Sequence, residues 1–545
     1  MKYFIKQTLL FIVVLALLIL AQSIHDPLYV FKQADSLALP YDAKGLGVLL
    51  AYLGGYITVA FSLYLILRIK SKKIFFLFLF LFFIFYAIDF FMQLIGTSYG
   101  FSYNEFILAM NEAENVHNLL NYLDYVVYAI GMSLIFSILF LILRIKFFTK
   151  KSKTSKTLLL FILLAFFGTA LPTYTIDHIT HKIYPAFTKI PVISLVYLKH
   201  RPQVKKRILD ENIHPSKSKF KNIIWLIDES VTGSYLSING YDKKTTPYLE
   251  SLNKTDKMVN FGIVNSVSNC SSSSNLSLRI GLNPNTFPDF DKNMYDLPTI
   301  FQYAKRAGYT TWLLDSQAPK DYLQNYMSLY DKKDIDNFLT LENDTVPYTR
   351  DEKMLTKIEN LTKAPNKNFV VVVKFGAHWP YILDYDTQES KFKPIIETTY
   401  GMTLENRKKQ INTYDNAILH ATDNYLKKLV EGSDLSKSII FYTSDHGQNI
   451  LETDVKITHC NTDNVIKNEA SVPLFIFQDK AKELFKINKK NPYYSQIQMF
   501  PTTLSLMGYN KKDIKPYGKT LWENFNNSED RQFFIYVTGK IQTYK

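Results

Sequence analysis

The first third of the chain is a series of long apolar stretches separated by polar connections. Five of them occur, at residues 4–22, 46–68, 74–96, 123–144 and 157–173. About 20 apolar residues in a helix cross a hydrocarbon core of about 30 Å, so the pattern predicts a five-helix transmembrane domain over residues 1–173. Leu20-Ala21 also resembles the exit of a cleaved signal peptide, but the four spans that follow favour a retained helix.

Charged residues in the connections predict the orientation of these helices. The connections after the second and fourth stretches are basic, through Arg68, Lys70, Lys72, Lys73, Arg144, Lys146, Lys150, Lys151, Lys153 and Lys156. The connection between the third and fourth stretches has Glu105, Glu112 and Glu114 but no Lys or Arg. Because basic loops stay in the cytoplasm, we expect a cytoplasmic N-terminus and a location outside the cytoplasm for everything after the fifth stretch.

A basic connector over residues 174–221 follows the apolar part. Pro185 and Pro191 interrupt it, and its charge is concentrated between Lys199 and Arg207. Attraction to an anionic membrane surface and simple solvation are both compatible with this charge run.

From Asn222 onward, strand-type and helix-type patterns alternate. The six candidate strands are Asn222–Ile227, Val259–Val264, Tyr309–Leu314, Phe369–Phe375, Ser438–Thr443 and Val472–Phe477. Helical patterns between them begin at Thr246-Pro247 and at Pro298, and a long one runs from Thr403 to Leu429. This alternation predicts an α/β sandwich over residues 222–545, with helices on both faces of a mostly parallel sheet.

Side chains of the metal-binding type follow three of these strands. The segments are Asp228-Glu229, Gly376-Ala377-His378 and Asp445-His446-Gly447. A single Asp or His after a strand is commonly a turn or cap residue. Because ligands bind at the carboxyl ends of parallel strands, the three segments together predict a metal site, with His459 as a further contributor.

A serine-rich loop offers a nucleophile for such a site. It covers Ser268–Ser277 and leads into the predicted helix Leu276–Leu282. A serine at a helix N-terminus benefits from the positive end of the helix dipole, and metal coordination would activate its hydroxyl further. Ordinary N-capping is the structural alternative.

Charge, motifs and cysteine content argue against nucleic-acid-binding, disulfide-rich and Cys-type zinc proteins. The net charge of +14 could suggest nucleic-acid binding, but the chain has no nucleic-acid-binding motif, and membrane topology explains part of the charge. Cys270 and Cys460 are the two cysteines, so the chain has neither a disulfide framework nor a Cys-rich zinc site.

Several spaced motifs in the soluble part resemble those of a known superfamily. They are Asp228-Glu229-Ser230, Leu236–Tyr241, Thr245-Thr246-Pro247, Asn412–Asn416, Thr422-Asp423, Ser444–Gly447, His459 and Ser471-Val472-Pro473. The superfamily is that of alkaline phosphatases and sulfatases. Within it, the whole chain is similar to the membrane-anchored phosphoethanolamine transferases that modify lipid A, the group of the mobile colistin-resistance enzymes.

The resemblance implies a catalytic zinc ion. Glu229, Asp445 and His446 would hold it together with the nucleophile. In the family the nucleophile is a threonine four residues after a cysteine, and counting from Cys270 leads to Ser274, where serine replaces threonine.

Further site residues follow from the resemblance in the same way. His378 and His459 would contact the substrate phosphate or a second metal, and Gln317 would line the headgroup site. Gln448 stands where the family commonly has Glu, which weakens the case for a second metal. Ser273 lies next to the implied nucleophile and is an alternative to it.

The cysteine pattern departs from that of the family. The second cysteine of the family's serine or threonine loop is absent, so the usual disulfides are missing. Cys270 and Cys460 each lie beside a site residue, and we expect them to form one disulfide in the oxidising periplasm. Two free buried thiols are the alternative.

The implied reaction is a two-step transfer. Ser274 would take phosphoethanolamine from phosphatidylethanolamine and pass it to lipid A or another envelope glycan. A phosphoglycerol transferase of the lipoteichoic-acid-synthase type, with Mn²⁺ in place of Zn²⁺, and an inactive sulfatase-like envelope-binding protein are the alternatives. We expect a monomer in the bacterial inner membrane that binds no nucleic acid.

Overall fold

The computed structural model divides the chain into two compact units, Met1–Arg201 and Pro202–Lys545. It describes residues 2–23, 43–94, 123–147, 185–187, 190–191, 193–194, 204–287, 294–318, 320–342, 345–398, 403–453, 457–461, 465–488, 492–527, 531–535 and 540–544. The fifth predicted span lies outside these residues, as do residues 174–184 and 195–203 of the predicted connector.

Long apolar helices make up the described part of the first unit. They are α1 (Lys2–Gln22), α2 (Ala43–Leu67), α3 (Lys72–Leu94) and α4 (Leu123–Phe147). Three segments are long and apolar enough to cross a membrane: Phe4–Gln22, Lys72–Leu94 and Leu123–Phe147. The described residues therefore contain three such helices where five were expected, and α2 covers the second predicted stretch with a shorter apolar part, Tyr52–Leu67.

Arg144, which counts as a loop charge in the sequence, has a structural role near the end of α2. Its guanidinium donates hydrogen bonds to the carbonyls of Leu67 (3.1 Å) and Ile69 (2.8 Å). It also lies over the ring of Phe75, 4.0 Å from the centroid. A cationic side chain at the C-terminal end of a helix satisfies carbonyls that have no partner within the helix.

The second unit is built on a mixed sheet of seven strands within the described residues. They are β1 (Asn222–Asp228), β2 (Met258–Asn265), β3 (Thr310–Asp315), β4 (Asn337–Leu339), β5 (Asn368–Val373), β6 (Ser438–Ser444) and β7 (Ser471–Phe477). Their order is β2-β7-β6-β1-β5-β3-β4. The pairs around β1, β3 and β5 are parallel, whereas β7 is antiparallel to both neighbours.

The sandwich fold predicted from the alternation of strands and helices is confirmed. All six predicted strands are present, and the sequence pattern missed the short edge strand β4 and the hairpin of β8 (Gln532–Ile535) and β9 (Lys540–Thr543). Each of these three strands has only three or four residues, which is too few to produce a clear hydrophobic pattern.

Helices cover the sheet. They are α5 (Pro247–Leu252), α6 (Ser271–Ile280), α7 (Ile300–Arg306), α8 (Leu329–Lys332), α9 (Arg350–Lys363), α10 (Arg407–Ala417), α11 (Tyr425–Gly432), α12 (Ala481–Leu484), α13 (Met499–Met507) and α14 (Lys511–Ile514). The predicted long helix is continuous from α10 to α11 through a π-helical segment, Ile418–Asn424. The helix predicted to open at Pro298 begins at Ile300, because Thr299 and Gln302 form a capping box.

The serine-rich helix α6 begins five residues earlier than predicted. Ser273 and Ser274 turn their hydroxyls back toward Ser268 and the carbonyl of Cys270. These side-chain hydrogen bonds stabilise the first turn of the helix, so the helix begins before the apolar residues from Leu276 onward.

Part of the predicted connector packs into the second unit. Arg207 is buried, and its guanidinium pairs with Asp331 at 2.6 Å and donates to the carbonyl of Leu297. Farther along, the backbone of Ser216 and Lys219 bonds to the carbonyls of Gly508 and Leu506. Arg207 is therefore neither solvated nor available to a membrane surface.

Candidate metal and nucleophile site

Three neighbouring strands bring the polar segments together. β6 and β5 flank β1, and Asp228 pairs with Ser444 in register. Glu229 and Asp445 consequently leave the sheet side by side. The turn after β5 comes close enough for the backbone N–H of Ala377 to donate to the carbonyl of Glu229 at 3.0 Å.

Gly376 permits this close approach. Its φ is +65°, and a Cβ atom there would lie 2.4 Å from Oδ1 of Asp228 and 2.6 Å from the backbone nitrogen of Glu229. A side chain at this position would meet backbone that cannot move without displacing Glu229, so the turn requires glycine.

Glu229, Asp445 and His446 form a buried group of ligand atoms. These atoms all lie within 4.8 Å of one another. Nε2 of His446 is 3.4 Å from Oε1 of Glu229 and 3.6 Å from Oδ2 of Asp445. Nδ1 of His446 contacts the carbonyl of Gly447 at 2.7 Å, which directs Nε2 toward the two carboxylates.

A divalent metal ion fits this group. Oδ2 of Asp445 is buried and has no hydrogen-bond partner among the described residues. A buried carboxylate oxygen without a donor is costly unless a cation binds it. Two carboxylates and one imidazole are donors that zinc accepts.

The protonation behaviour of the three side chains reflects their crowding. Burial and the charge of Glu229 raise the pKa of Asp445 to about 8. Burial opposes the ionisation of Glu229 too, but the hydrogen bond and charge of His446 hold the pKa of Glu229 well below its ordinary value. Burial opposes the protonation of His446, yet Asp445 and Glu229 raise its pKa to about 9. Excess negative charge in a buried pocket is typical of a cation site.

Polar neighbours fix the orientation of the two carboxylates. Ser230 donates its hydroxyl to Oε1 of Glu229 at 2.5 Å and its backbone N–H to Oδ1 of Asp445 at 3.1 Å. Its φ of +62° is unusual for a residue other than glycine. Gln317 donates to Oε2 of Glu229 at 2.8 Å. Gln317, expected to line a headgroup site, thus contacts the carboxylate of Glu229 in the candidate metal group.

Lys374, a buried lysine that the sequence pattern did not reveal, stabilises the carboxylate of Asp228 next to the site. Nζ of Lys374 lies 2.7 Å from Oδ2 of Asp228, and both side chains are fully buried. Tyr442 and Thr422 also donate to this carboxylate. The carboxylate of Asp228 is therefore bound to interior side chains, whereas the carboxylate of Glu229 faces the site. A lysine next to the apolar run Phe369–Val373 was the signal that could have revealed it.

Ser271 is the residue of the serine-rich loop whose hydroxyl contacts the candidate metal group of Glu229, Asp445 and His446. Its hydroxyl is 2.8 Å from Nε2 of His446. The hydroxyl of Ser274 instead donates to the carbonyl of Ser268 at 2.8 Å and accepts from the same residue's N–H. Because α6 begins one residue after Cys270, the residue four positions after that cysteine lies a full turn inside the helix.

Two further histidines lie at the site. The ring of His459 stacks on that of His446 with 4.1 Å between centroids, and the ring of His378 is 6.5 Å from that of His459. Burial, with the nearby charge of His446, lowers the pKa of His459 well below its ordinary value. A disulfide joins Cys270 to Cys460, so it ties the loop of His459 to the start of α6.

Comparison with known proteins identifies the family of this chain. A family model described as Sulfatase matches residues 221–509. The chain is similar to the phosphatidylethanolamine transferase Mcr-2 of Escherichia coli, 24% identical over 360 residues that cover 63% of the chain and 62% of Mcr-2. It is 25% identical to the phosphoethanolamine transferase EptC of Escherichia coli O18:K1:H7, over 56% of the chain and 54% of EptC. The chain thus spans less than two thirds of these relatives.

Solved structures agree on the fold. The integral membrane protein lipooligosaccharide phosphoethanolamine transferase A (EptA) of Neisseria meningitidis matches with a TM-score of 0.61 and 19% identity, over 92% of the chain and 97% of EptA. The periplasmic domain of Escherichia coli EptC, in a complex with Zn, matches with a TM-score of 0.50 and 18% identity, over 63% of the chain and 97% of that domain. With a family match across more than half of its length, the chain belongs to the sulfatase family of the alkaline phosphatase/sulfatase superfamily.

Proposed function

We propose that this chain transfers phosphoethanolamine from phosphatidylethanolamine to an acceptor of the cell envelope, lipid A or another envelope glycan. The observation that carries the proposal is the contact between the hydroxyl of Ser271 and Nε2 of His446 at the Glu229–Asp445–His446 group. The names of Mcr-2 and EptC agree with this reaction. Apolar helices long enough to span a membrane would hold the enzyme close to its lipid donor.

The metal in this proposal is zinc, held by Glu229, Asp445, His446 and the nucleophilic serine. When bound, the ion would supply Lewis-acid chemistry to a phosphate oxygen and to the seryl hydroxyl. Gln317 and Ser230 orient the carboxylate of Glu229 toward that position. The EptC domain complex with Zn supports the choice of metal.

In the first step, Oγ of Ser271 forms a bond to phosphorus while the bond from phosphorus to the diacylglycerol oxygen breaks. The proton lost from Ser271 is balanced by the one that the diacylglycerol oxygen gains. Peptide N–H groups at the N-terminal end of α6 would bind oxygens of the transferred phosphate, as would His378 and His459. In the second step, an acceptor oxygen attacks the same phosphorus, and the hydroxyl of Ser271 is restored.

The proposed location follows from the charges of the connections. The N-terminus would be cytoplasmic, and the second unit would lie in the periplasm of a bacterial inner membrane. The oxidising periplasm is compatible with the Cys270–Cys460 disulfide.

Mass spectrometry of the covalent intermediate tests the reaction and the nucleophile together. The full chain in detergent, loaded with zinc, is incubated with phosphatidylethanolamine, and peptides are mapped. We expect a phosphoethanolamine adduct on Ser271 that is lost in Ser271→Ala and after chelation, and that persists in Ser274→Ala.

Each other outcome has a defined meaning. An adduct on Ser274 would restore the position implied by the spacing from Cys270 and would overturn the assignment to Ser271. A phosphoglycerol adduct from phosphatidylglycerol would replace the proposed donor. A protein that takes up no stoichiometric metal and forms no adduct would be an inactive envelope-binding protein, and the proposed function would fail.

A further inference from the structure

A polar cavity lies in the second unit beside the turn that follows β5. Its volume is about 540 Å³, and Phe375 and Gly376 form part of its wall. Six carboxylates face it against two lysines, Lys427 and Lys428. The carboxylates are those of Asp351, Glu352, Asp384, Asp386, Glu389 and Glu431.

Four of these carboxylates already have partners. Glu389 lies 3.4 Å from Nδ1 of His420, and Asp386 accepts the backbone N–H of Gln388 at 3.0 Å. Glu352 forms an ion pair with Lys428. Asp351 accepts the backbone N–H groups of Phe375 (2.7 Å) and Gly376 (3.1 Å). With six carboxylates against two lysines, the lining still carries an excess of negative charge.

Asp384 is the informative member of this group. The residue is 3% exposed, and neither of its carboxylate oxygens has a hydrogen-bond partner among the described residues. The hydroxyl of Tyr425, which lines the same cavity, is also buried without a partner in the described part of the chain. A buried polar group without a partner is unfavourable, and a buried charge without one is more so. A ligand that donates to both groups would remove this cost.

The burial of Asp384 makes a nearby cation favourable. Burial, followed by the charges of Asp351 and Asp228, raises the pKa of Asp384 well above its ordinary value. The charge of Lys374 acts in the opposite direction, and further positive charge in the cavity would favour the ionised carboxylate.

The aromatic walls indicate an organic cation. Tyr385 stacks on His420 with 5.6 Å between ring centroids and 12° between ring planes. Tyr348, Phe375 and Tyr425 add further rings to the lining. Aromatic faces attract ammonium groups, and a cavity of this volume is many times larger than the roughly 30 Å³ that one water molecule occupies. A bare metal ion would leave most of it empty.

We propose that this cavity binds an organic polyammonium ion, with one ammonium group on Asp384 and Tyr425 and another among the exposed carboxylates of Asp386, Glu389 and Glu431. Two or more positive charges on one flexible chain match both the buried and the exposed acidic groups. The site uses none of the Glu229, Asp445 or His446 side chains, and its occupancy does not depend on the transfer reaction.

Titration calorimetry of the zinc-loaded full chain in an uncharged detergent tests the proposal, with spermidine as the probe. We expect one saturable site whose affinity falls at least tenfold in Asp384→Asn and several-fold in Tyr425→Phe. Glu483→Gln is the matched control, because Glu483 is an exposed carboxylate outside the cavity, beside Lys480. Its affinity should equal that of the unmodified chain.

Three results would overturn the proposal. They are the absence of saturable binding, equal affinity in Asp384→Asn, and binding of Mg²⁺ or n-butylamine as tight as that of spermidine. If Asp384→Asn does not fold, Tyr425→Phe and Glu431→Gln decide the question by the same criterion. Loss of phosphoethanolamine transfer has no bearing on this readout, so the two proposals fail separately.

Discussion

At the residue scale, the carboxylate of Glu229 is held from two sides. Ser230 donates to one oxygen and Gln317 to the other. Residues that orient a metal ligand in this way commonly change metal affinity by about 10- to 100-fold when they are replaced. The amide of Gln317 is thus a positioning group, because it fixes the orientation of the Glu229 carboxylate.

We expect Gln317→Leu to weaken zinc binding by about 10- to 100-fold, because the carboxylate of Glu229 loses one of its two donors. Competition with a chromophoric chelator measures the affinity. Gln388→Leu, at an exposed turn residue, is the control and should bind zinc normally. Unchanged affinity in Gln317→Leu would show that Glu229 needs no second donor.

At the scale of elements, Asp423 links two helices. It lies in the π-helical segment between α10 and α11, and its carboxylate accepts the N–H groups of Tyr248 (2.9 Å) and Leu249 (3.0 Å). Thr246, the residue expected to cap α5, makes no side-chain cap bond. The cap of α5 is therefore supplied from a helix more than 170 residues later in the chain.

The shifted pKa of Asp423 makes the stability of the folded chain depend on pH. Burial raises that pKa from 3.8 to about 6, so the folded chain binds the proton more tightly than the unfolded chain. The contribution of this group to stability is consequently full below pH of about 4 and is lost as the pH rises to about 6, by up to about 3 kcal/mol.

Asp423→Asn should therefore destabilise the chain more at pH 4.5 than at pH 7.5. Asn keeps an acceptor oxygen but cannot gain stability from protonation. Thermal unfolding of both proteins in detergent at the two pH values measures the difference. A deficit that is equal at both pH values would contradict the burial argument.

At the scale of the whole molecule, the disulfide closes a large loop. Cys270 and Cys460 are 190 residues apart in sequence, and the loop between them contains β3, β5 and β6. Loss of a native disulfide typically costs about 2–5 kcal/mol. The bond also ties the N-terminus of α6 to the residue after His459, so it contributes to the site as well as to stability.

We expect the double variant Cys270→Ser/Cys460→Ser to unfold at a lower temperature than the oxidised chain, because its unfolded state is no longer constrained. Differential scanning calorimetry in detergent measures the midpoint. A reducing agent should lower the midpoint of the unmodified chain and leave that of the double variant unchanged. Equal midpoints for the oxidised chain and the double variant would rule out a stabilising disulfide.

Zinc removal should act on the whole molecule through mass action. A ligand at 1,000 times its dissociation constant stabilises the folded state by about 4 kcal/mol. Chelation should therefore lower the unfolding midpoint of the unmodified chain but not that of Glu229→Gln, in which the site is already weakened. A midpoint that does not respond to chelation in either protein would contradict the metal site.

The sequence alone determined six of the seven strands of the sheet, because runs such as β1, β5 and β6 are short, apolar and bounded by polar or turn residues, which is typical of buried strands. It also indicated Glu229, Asp445 and His446, since carboxyl ends of parallel strands converge at one edge of a sheet. Only the tertiary structure decided which serine meets His446, because that depends on where α6 begins and on hydroxyl contacts with Ser268. Likewise, the cap from Asp423, the support from Lys374 and the acidic cavity around Asp384 arise from residues far apart in the chain. No local pattern encodes such contacts, since packing in three dimensions brings them together.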